Sequence, residues 1–278
     1  MYGIMSGRAR SEFVSTPQIH PTAIVSPRAE LAPDVEVGPF SIIADDVQIG
    51  KGTIIGPHVQ IERWTILGEG NRVFFGSSVG NPSKDLKYRG WRSWTRIGDR
   101  NTLREYVSVS RATFEEAATV IGDDNLIMNW TNIDHDCVVG NRVIMATLAT
   151  LGGHVTIEDD ARIGAQAAFH PFVRVGRMAM AGGCSKFVQD IPPYTVADGH
   201  PARVRALNVV GLRTSRVNPL SKLPPETIRL LKKAFHILFR AKLPLAEAVA
   251  RARREAGGNP DAEYLISFVE SSSRGVAR

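Results

Sequence analysis

Residues 129–160 read "NWTNIDHDCVVGNRVIMATLATLGGHVTIEDD", and within them Ile133, Val139, Met145, Leu151 and Ile157 recur every six residues. A helix repeats at about 3.6 residues and a strand at about 2, so neither keeps this beat. A fixed period of another length marks a repeat architecture. Followed outward, the beat runs from Ile19 through Val25, Leu31, Val37 and Ile43 to Val79, and resumes in phase at Ile97, Leu103 and Val109. It resumes again at Ile121 and continues to Phe187.

Each hexad reads as one short strand with a tight turn, and three hexads close a triangular coil. The large aliphatic residue fills the prism. Four positions later a small or β-branched residue leaves it room, as at Ala23, Ser41, Thr53, Cys137 and Ala149. Glycine often follows the apolar position, as at Gly38, Gly140 and Gly164, where it is expected to relieve the corner backbone. Stacked coils pair their strands about 4.8 Å apart. The expected fold is therefore a parallel β-helix of the hexapeptide type, whose hand the period alone does not show. Two interruptions, residues 80–96 and 110–120, must leave the prism as loops, and long loops on a rigid scaffold often carry function. Beyond about Asn208 the beat stops, and Ile228, Leu231, Phe235, Leu238 and Phe239 fall on one helical face. "LAEAVARARREAGG" and "DAEYLISFVESS" read as two further helices, the first with a glycine stop. The expected organisation is an N-terminal extension over 1–18, a β-helix over 19–207 and a helical domain over 208–278.

Of the 278 residues, 43% are hydrophobic and 22% charged, an ordinary composition for a globular chain. Cys137 and Cys184 are the two cysteines, too few for a disulfide framework, and suit a reducing compartment. No apolar run is long enough to span a membrane, and residues 1–18 lack the apolar core of a secretory signal, so a cytoplasmic location is expected. The net charge of +6 favours anionic partners. Neither zinc-finger spacing nor a basic helix points to nucleic acid.

His135, His154 and His170 lie nineteen and sixteen residues apart, close to one coil each, and none falls on the inward beat. They are expected to point outward and climb roughly one edge. Solvated surface, a metal site and general-base chemistry compete as readings. His135 stands out because Asp136 follows it. "GGH", residues 152–154, offers backbone N–H groups able to receive an oxyanion.

The motifs "IDHDCVVGNR", "ATLGGHVTI", "AGGCSKFVQDIPPY" and "NPSKDLKYRG" resemble the UDP-N-acetylglucosamine O-acyltransferases that begin lipid A synthesis, and the likeness runs from "IHPTAIVSP" to "SSSRGVAR". The resemblance implies a left-handed β-helix and a homotrimer with active sites between neighbouring prisms. It implies transfer of a 3-hydroxyacyl group from the phosphopantetheine thioester of acyl carrier protein to the sugar 3-hydroxyl, with no metal and no other cofactor. By the same resemblance His135 is the base, Asp136 orients it and the Gly153 N–H receives the oxyanion. Asp85 and Lys87 match loop residues that hold the sugar nucleotide, and His154 and His170 match further cleft residues. Gly183 matches the residue that measures the acyl chain, and an open glycine there implies longer chains. The sister N-acyltransferases carry an extra N-terminal domain, for which no room is expected before Ile19.

Some positions depart from the family pattern. Asn132 and Ser110 stand where histidines are usual, and Pro171 replaces a glutamine. Arg213 is followed by Thr214 and Ser215 instead of a basic pair, with Arg216 nearby to compensate, and "GHPAR" (residues 199–203) also differs. Asn132 still donates and accepts hydrogen bonds. These departures bear on substrate identity, so a 3-amino or other nucleotide sugar is the alternative acceptor. A non-catalytic nucleotide-sugar-binding paralogue is the alternative of another class, and the His135–Asp136 pair with Gly153 argues against it.

Overall fold

The computed structural model describes residues 16–214, 222–256, 258–276 and 278. The N-terminal extension falls outside them except for its last three residues, and Gln18 already belongs to the first strand, Gln18–Ile19.

Among the described residues short strands stack into three sheets of eleven, nine and eight strands, one for each face of the prism. As far as Ala168–Phe169, each strand pairs in parallel with the one three strands later, as where Gln18 meets Glu36 and Ile19 meets Val37. The coil is therefore eighteen residues. The first loop lengthens that offset, so that Thr65 pairs with Thr95, and the second pairs Trp94 with Ala118. The excess is twelve and six residues, both multiples of six, which is why the beat resumes in phase. The sheets extend further into both interruptions than expected: Ser78–Asn81 and Trp94–Ile97 bound the first loop at 82–93. Ser108–Ser110 and Ala118–Ile121 bound the second at 111–117.

Residues on the apolar beat fill the prism; Ile133, Val139, Met145, Leu151 and Ile157 are all buried. The corner glycines play a different part from the one expected. The left-handed residue of each turn lies three positions after the beat and is usually not glycine, as at Asp136, His154 and Phe172. A glycine directly after the beat is there because coils stack on it: a Cβ on Gly38 would lie 2.8 Å from the carbonyl carbon of Gly56.

The parallel stack ends earlier than residue 207. Thr195–Gly199 still pairs in parallel with Met180–Ala181, but Ala202–Leu207 returns antiparallel as a hairpin that caps the prism. Among the described residues four helices follow: α1 (Val209–Thr214), α2 (Pro225–Phe239), α3 (Leu245–Ala256) and α4 (Pro260–Glu270). Ile228, Leu231, Phe235 and Leu238 are buried as expected, whereas Phe239 is only half-buried. The side chain of Asn259 caps α4 by accepting from the N–H groups of Asp261 and Ala262. The helices are tied to the prism where the buried Tyr194 hydroxyl donates to Asp261 (2.6 Å) and Arg177 pairs with the same carboxylate (2.7 Å). Among the described residues no helix is long and apolar enough to cross a membrane.

Candidate active site

Both loops leave the same corner, the one that follows the nine-stranded sheet, and close over residues 134–136. His135 and Asp136 form the turn after the strand Asn132–Ile133. The imidazole Nδ1 lies 2.8 Å from Asp136 Oδ2, and the His154 Nε2 lies 3.6 Å from the same oxygen. Asp136 is fixed independently: its N–H donates to Thr119 Oγ1 (2.8 Å), and its carboxylate accepts the Thr113 N–H at 3.2 Å from each oxygen. His135 is thus not an open surface group. The second loop covers it, and its side chain retains only 11% exposure.

Gly153 sits one coil beyond His135. A Cβ there would lie 2.3 Å from His135 Cε1 and 2.6 Å from Nε2, so the imidazole packs on bare backbone. Neighbouring N–H groups are in use, Gly152 donating to Phe169 O and His154 to His135 O, while the Gly153 N–H has no partner among the described residues. An unused donor beside an imidazole with one free nitrogen can meet a developing oxyanion.

The first loop supplies Asp85. Its carboxylate accepts the Lys87 N–H (2.8 Å), which holds the Asp85 carboxyl below the usual carboxylate range, and the charges of His135, Lys87 and His154 add to the effect. Ligating atoms of Asp85, His135 and His154 lie within 4.8 Å of one another, an arrangement able to take a metal ion as well as a polar substrate. Lys84, which sequence reasoning passed over, donates to Asn132 Oδ1 (2.9 Å) and lies 3.7 Å from Asp134. Ser83 and Thr113 were also passed over. Their hydroxyls are 2.8 Å apart, and Thr113 Oγ1 is 3.0 Å from His135 Nδ1. Only their position in the two interruptions signalled them.

The histidine column is shorter than expected. His154 meets His135 edge to face, with centroids 5.4 Å apart, and then stacks on Phe172 at 4.5 Å. His170 lies two positions back along its turn and takes Arg274 as its partner (3.1 Å). Ser110 is fully buried with no partner for its hydroxyl, and Pro171 sits next in the column above Gly153. Gly183 is exposed on another corner, after the eleven-stranded sheet, so one protomer does not bring it to His135. Arg213 is exposed and shares a groove with Lys222, Arg229 and Lys232, away from the histidines. Arg216 and Ser215 lie outside the described residues. Cys137 is inert: burial pushes its thiol up to about 12.

A hexapeptide β-helix with a histidine–carboxylate pair beside an unused backbone donor has the equipment of a hexapeptide-repeat acyltransferase. The family described as bacterial transferase hexapeptide (six repeats) matches residues 28–63, and that described as Udp N-acetylglucosamine O-acyltransferase, domain 2, matches 190–277. An acyl-[acyl-carrier-protein]–UDP-N-acetylglucosamine O-acyltransferase of Burkholderia orbicola is 48% identical over 266 residues, 94% of this chain and 99% of its own. The protein of that name from Thermodesulfovibrio yellowstonii is 46% identical with the same coverage. The solved UDP-N-acetylglucosamine O-acyltransferase of Moraxella catarrhalis superposes with a TM-score of 0.87 at 34% identity, over 94% of this chain and 99% of that one. The chain belongs to the UDP-N-acetylglucosamine O-acyltransferase family, it is an acyltransferase, and its β-helix is left-handed.

Proposed function

We propose that the chain transfers a 3-hydroxyacyl group from acyl carrier protein to the 3-hydroxyl of UDP-N-acetylglucosamine, the first step of lipid A biosynthesis, with His135 as the general base. The observation that carries the residue roles is the 2.8 Å contact of His135 Nδ1 with Asp136 beside the unused Gly153 N–H. A carboxylate only accepts, so it fixes the proton on Nδ1 and leaves Nε2 basic. Nε2 takes the proton of the sugar hydroxyl as its oxygen attacks the thioester carbonyl. The Gly153 N–H receives the carbonyl oxygen as it gains charge. Collapse expels the phosphopantetheine thiolate, which recovers the proton from the imidazolium, and Asp136 stabilises that cation in between. Asp85 and Lys87 hold the sugar nucleotide beside His154, and Asn132, oriented by Lys84, faces the same space. No step in this scheme calls for a metal or another cofactor.

The assembly we propose is a homotrimer. On the corner after the eleven-stranded sheet, Phe40, His58, Phe75, Tyr106 and Trp130 stack in a ladder with centroid spacings of 4.2–5.4 Å. Phe40 and Trp130 remain 57% and 52% exposed. An exposed aromatic column of this length suits a protein contact. Gly183 lies farther along the same corner, so a neighbour contacting the loops through it would bring its Gly183 toward His135. His170, with Arg274, then lines the cleft. The groove of Arg213, Lys222, Arg229 and Lys232 suits an acidic carrier protein, and Arg216 belongs to the same reading. The cytoplasm, where acyl carrier protein is charged, is the compartment assigned.

The test is a mass-spectrometric assay of purified protein with UDP-N-acetylglucosamine, its 3-amino analogue and acyl carrier proteins of several chain lengths. An O-acylated product is expected, and turnover confined to the 3-amino sugar would replace the acceptor. His135→Ala should lower turnover by about 10²–10⁴ while the protein stays folded. A folded variant of near-native activity would remove His135 as the base.

A further inference from the structure

Thr113 occupies the space between the two loops and the dyad, and it is completely buried. Its Oγ1 lies 3.0 Å from His135 Nδ1 and 2.8 Å from Ser83 Oγ. Ser83 in turn accepts the N–H of Asp85 at 3.2 Å. One continuous chain of polar atoms thus runs from the backbone of the loop that carries Asp85 to the imidazole Nδ1. Gly153 has no part in it.

The Asp136 contact orders the hydrogens at the inner end of this chain. Asp136 Oδ2, at 2.8 Å, requires a proton on Nδ1. Thr113 Oγ1 then faces that N–H as a second acceptor and can turn its own hydrogen toward Ser83. Ser83 receives both that hydrogen and the Asp85 N–H on its two lone pairs. Thr113 thus shares the Nδ1 proton with Asp136, and Ser83 ties its hydroxyl to the backbone of Asp85.

We propose that Thr113 is a positioning residue and that, with Ser83, it forms a hydroxyl relay through which the Asp85 loop sets the orientation of His135. The proposal rests on the reading of His135 as the base. It gives the first loop a second task besides contact with the sugar nucleotide: seating of Asp85 holds the imidazole in the orientation that reacts. The Thr113 N–H, which holds both oxygens of Asp136, is a separate contact that side-chain changes leave in place.

Thr113→Val removes the hydroxyl and keeps the branched shape, Thr113→Ser restores the hydroxyl, and Ser83→Ala cuts the relay one step further out. Loss of one neutral hydrogen bond corresponds to about a five- to tenfold change. Thr113→Val is expected to lower kcat by at least that factor, to leave KM for the sugar nucleotide within about twofold, and to move the acidic limb of the kcat/KM profile. Thr113→Ser should return all three toward wild type, and Ser83→Ala should reproduce part of the loss. Nitrogen-15 shifts of the His135 ring give a readout independent of turnover. Wild type should carry its proton on Nδ1, shared between Asp136 and Thr113, and Thr113→Val should shift the Nδ1 resonance while the proton stays on that nitrogen. A folded Thr113→Val protein with unchanged kcat, pH limb and ring shifts overturns the relay. An active His135→Ala enzyme would instead remove the base, and the ring shifts would still decide whether the relay reaches the His135 ring.

Discussion

At the scale of single residues, the site depends on what is missing as much as on what is present. Gly153 is in contact with the His135 ring only because it has no Cβ. Gly153→Ala keeps the backbone N–H, so any loss it causes comes from displacement of the imidazole. A shift of about 1 Å in a reacting group costs on the order of a hundredfold. We expect kcat to fall by that order with little change in thermal stability, and steady-state kinetics beside a melting curve checks both. An unimpaired Gly153→Ala enzyme would mean that the ring has room the structure does not show. The sequence pointed to His135 and Asp136 through their adjacency and to "GGH" through its small residues. It did not identify Thr113, because a threonine in a loop gives no sign of facing a histidine twenty-two residues on until the loop is folded.

At the scale of elements, one corner of the prism holds a buried asparagine ladder that an apolar pattern cannot register. Asn71, Asn101 and Asn125 take the position four after the beat, where small or β-branched residues prevail. Asn71 Oδ1 accepts the Asn101 N–H, Asn101 Oδ1 accepts both the N–H and the Nδ2 of Asn125, and Asn125 Oδ1 accepts the Val143 N–H. Each side chain thereby bonds the backbone of the next coil. Asn101→Ala orphans two donors of Asn125 and the Gly122 carbonyl that Asn101 Nδ2 serves (2.8 Å). The expected cost is about 3 kcal/mol, since each unmade buried bond costs about 1–3 kcal/mol. Equilibrium urea unfolding measures it, and an unmoved midpoint would show that water replaces the side chain. The two loops are braced to each other as elements: Arg92 and the Trp94 indole both reach Glu116, at 2.7 and 3.0 Å.

At the scale of the whole molecule, the residues assigned to one reaction occupy two corners of one prism. The aromatic ladder and Gly183 share the first, and the loops and histidines the second. Light scattering is expected to report a trimer, and Trp130→Glu, which places a charge in the ladder, should dissociate it and abolish turnover together. A stable, active monomer would remove the intersubunit site. Chain length is read at the same scale. If Gly183 measures the acyl chain in the proposed trimer, a glycine there sets little limit and long 3-hydroxyacyl donors should be preferred, each further buried methylene adding about 0.8 kcal/mol. Gly183→Met should move the preference several carbons shorter. A Cβ there would sit 2.9 Å from the Ala165 carbonyl oxygen, so a melting curve must accompany the donor series. An unchanged preference in a folded variant would show that another residue measures the chain.

The period of six alone determined the coil, its three faces and the inward residue of every rung, because each hexad repeats one local packing rule and the rules add along one axis. It also placed both loops to within a few residues, since their lengths keep the phase. Three things followed only from the tertiary structure. The corner glycines serve the approach of the next coil, a contact eighteen residues away. His170 parts from His154 because two positions along a turn change the direction of a side chain. His135 is enclosed because a loop inserted more than twenty residues earlier folds back over it. Each depends on the stacking of distant segments, which a local repeat does not encode.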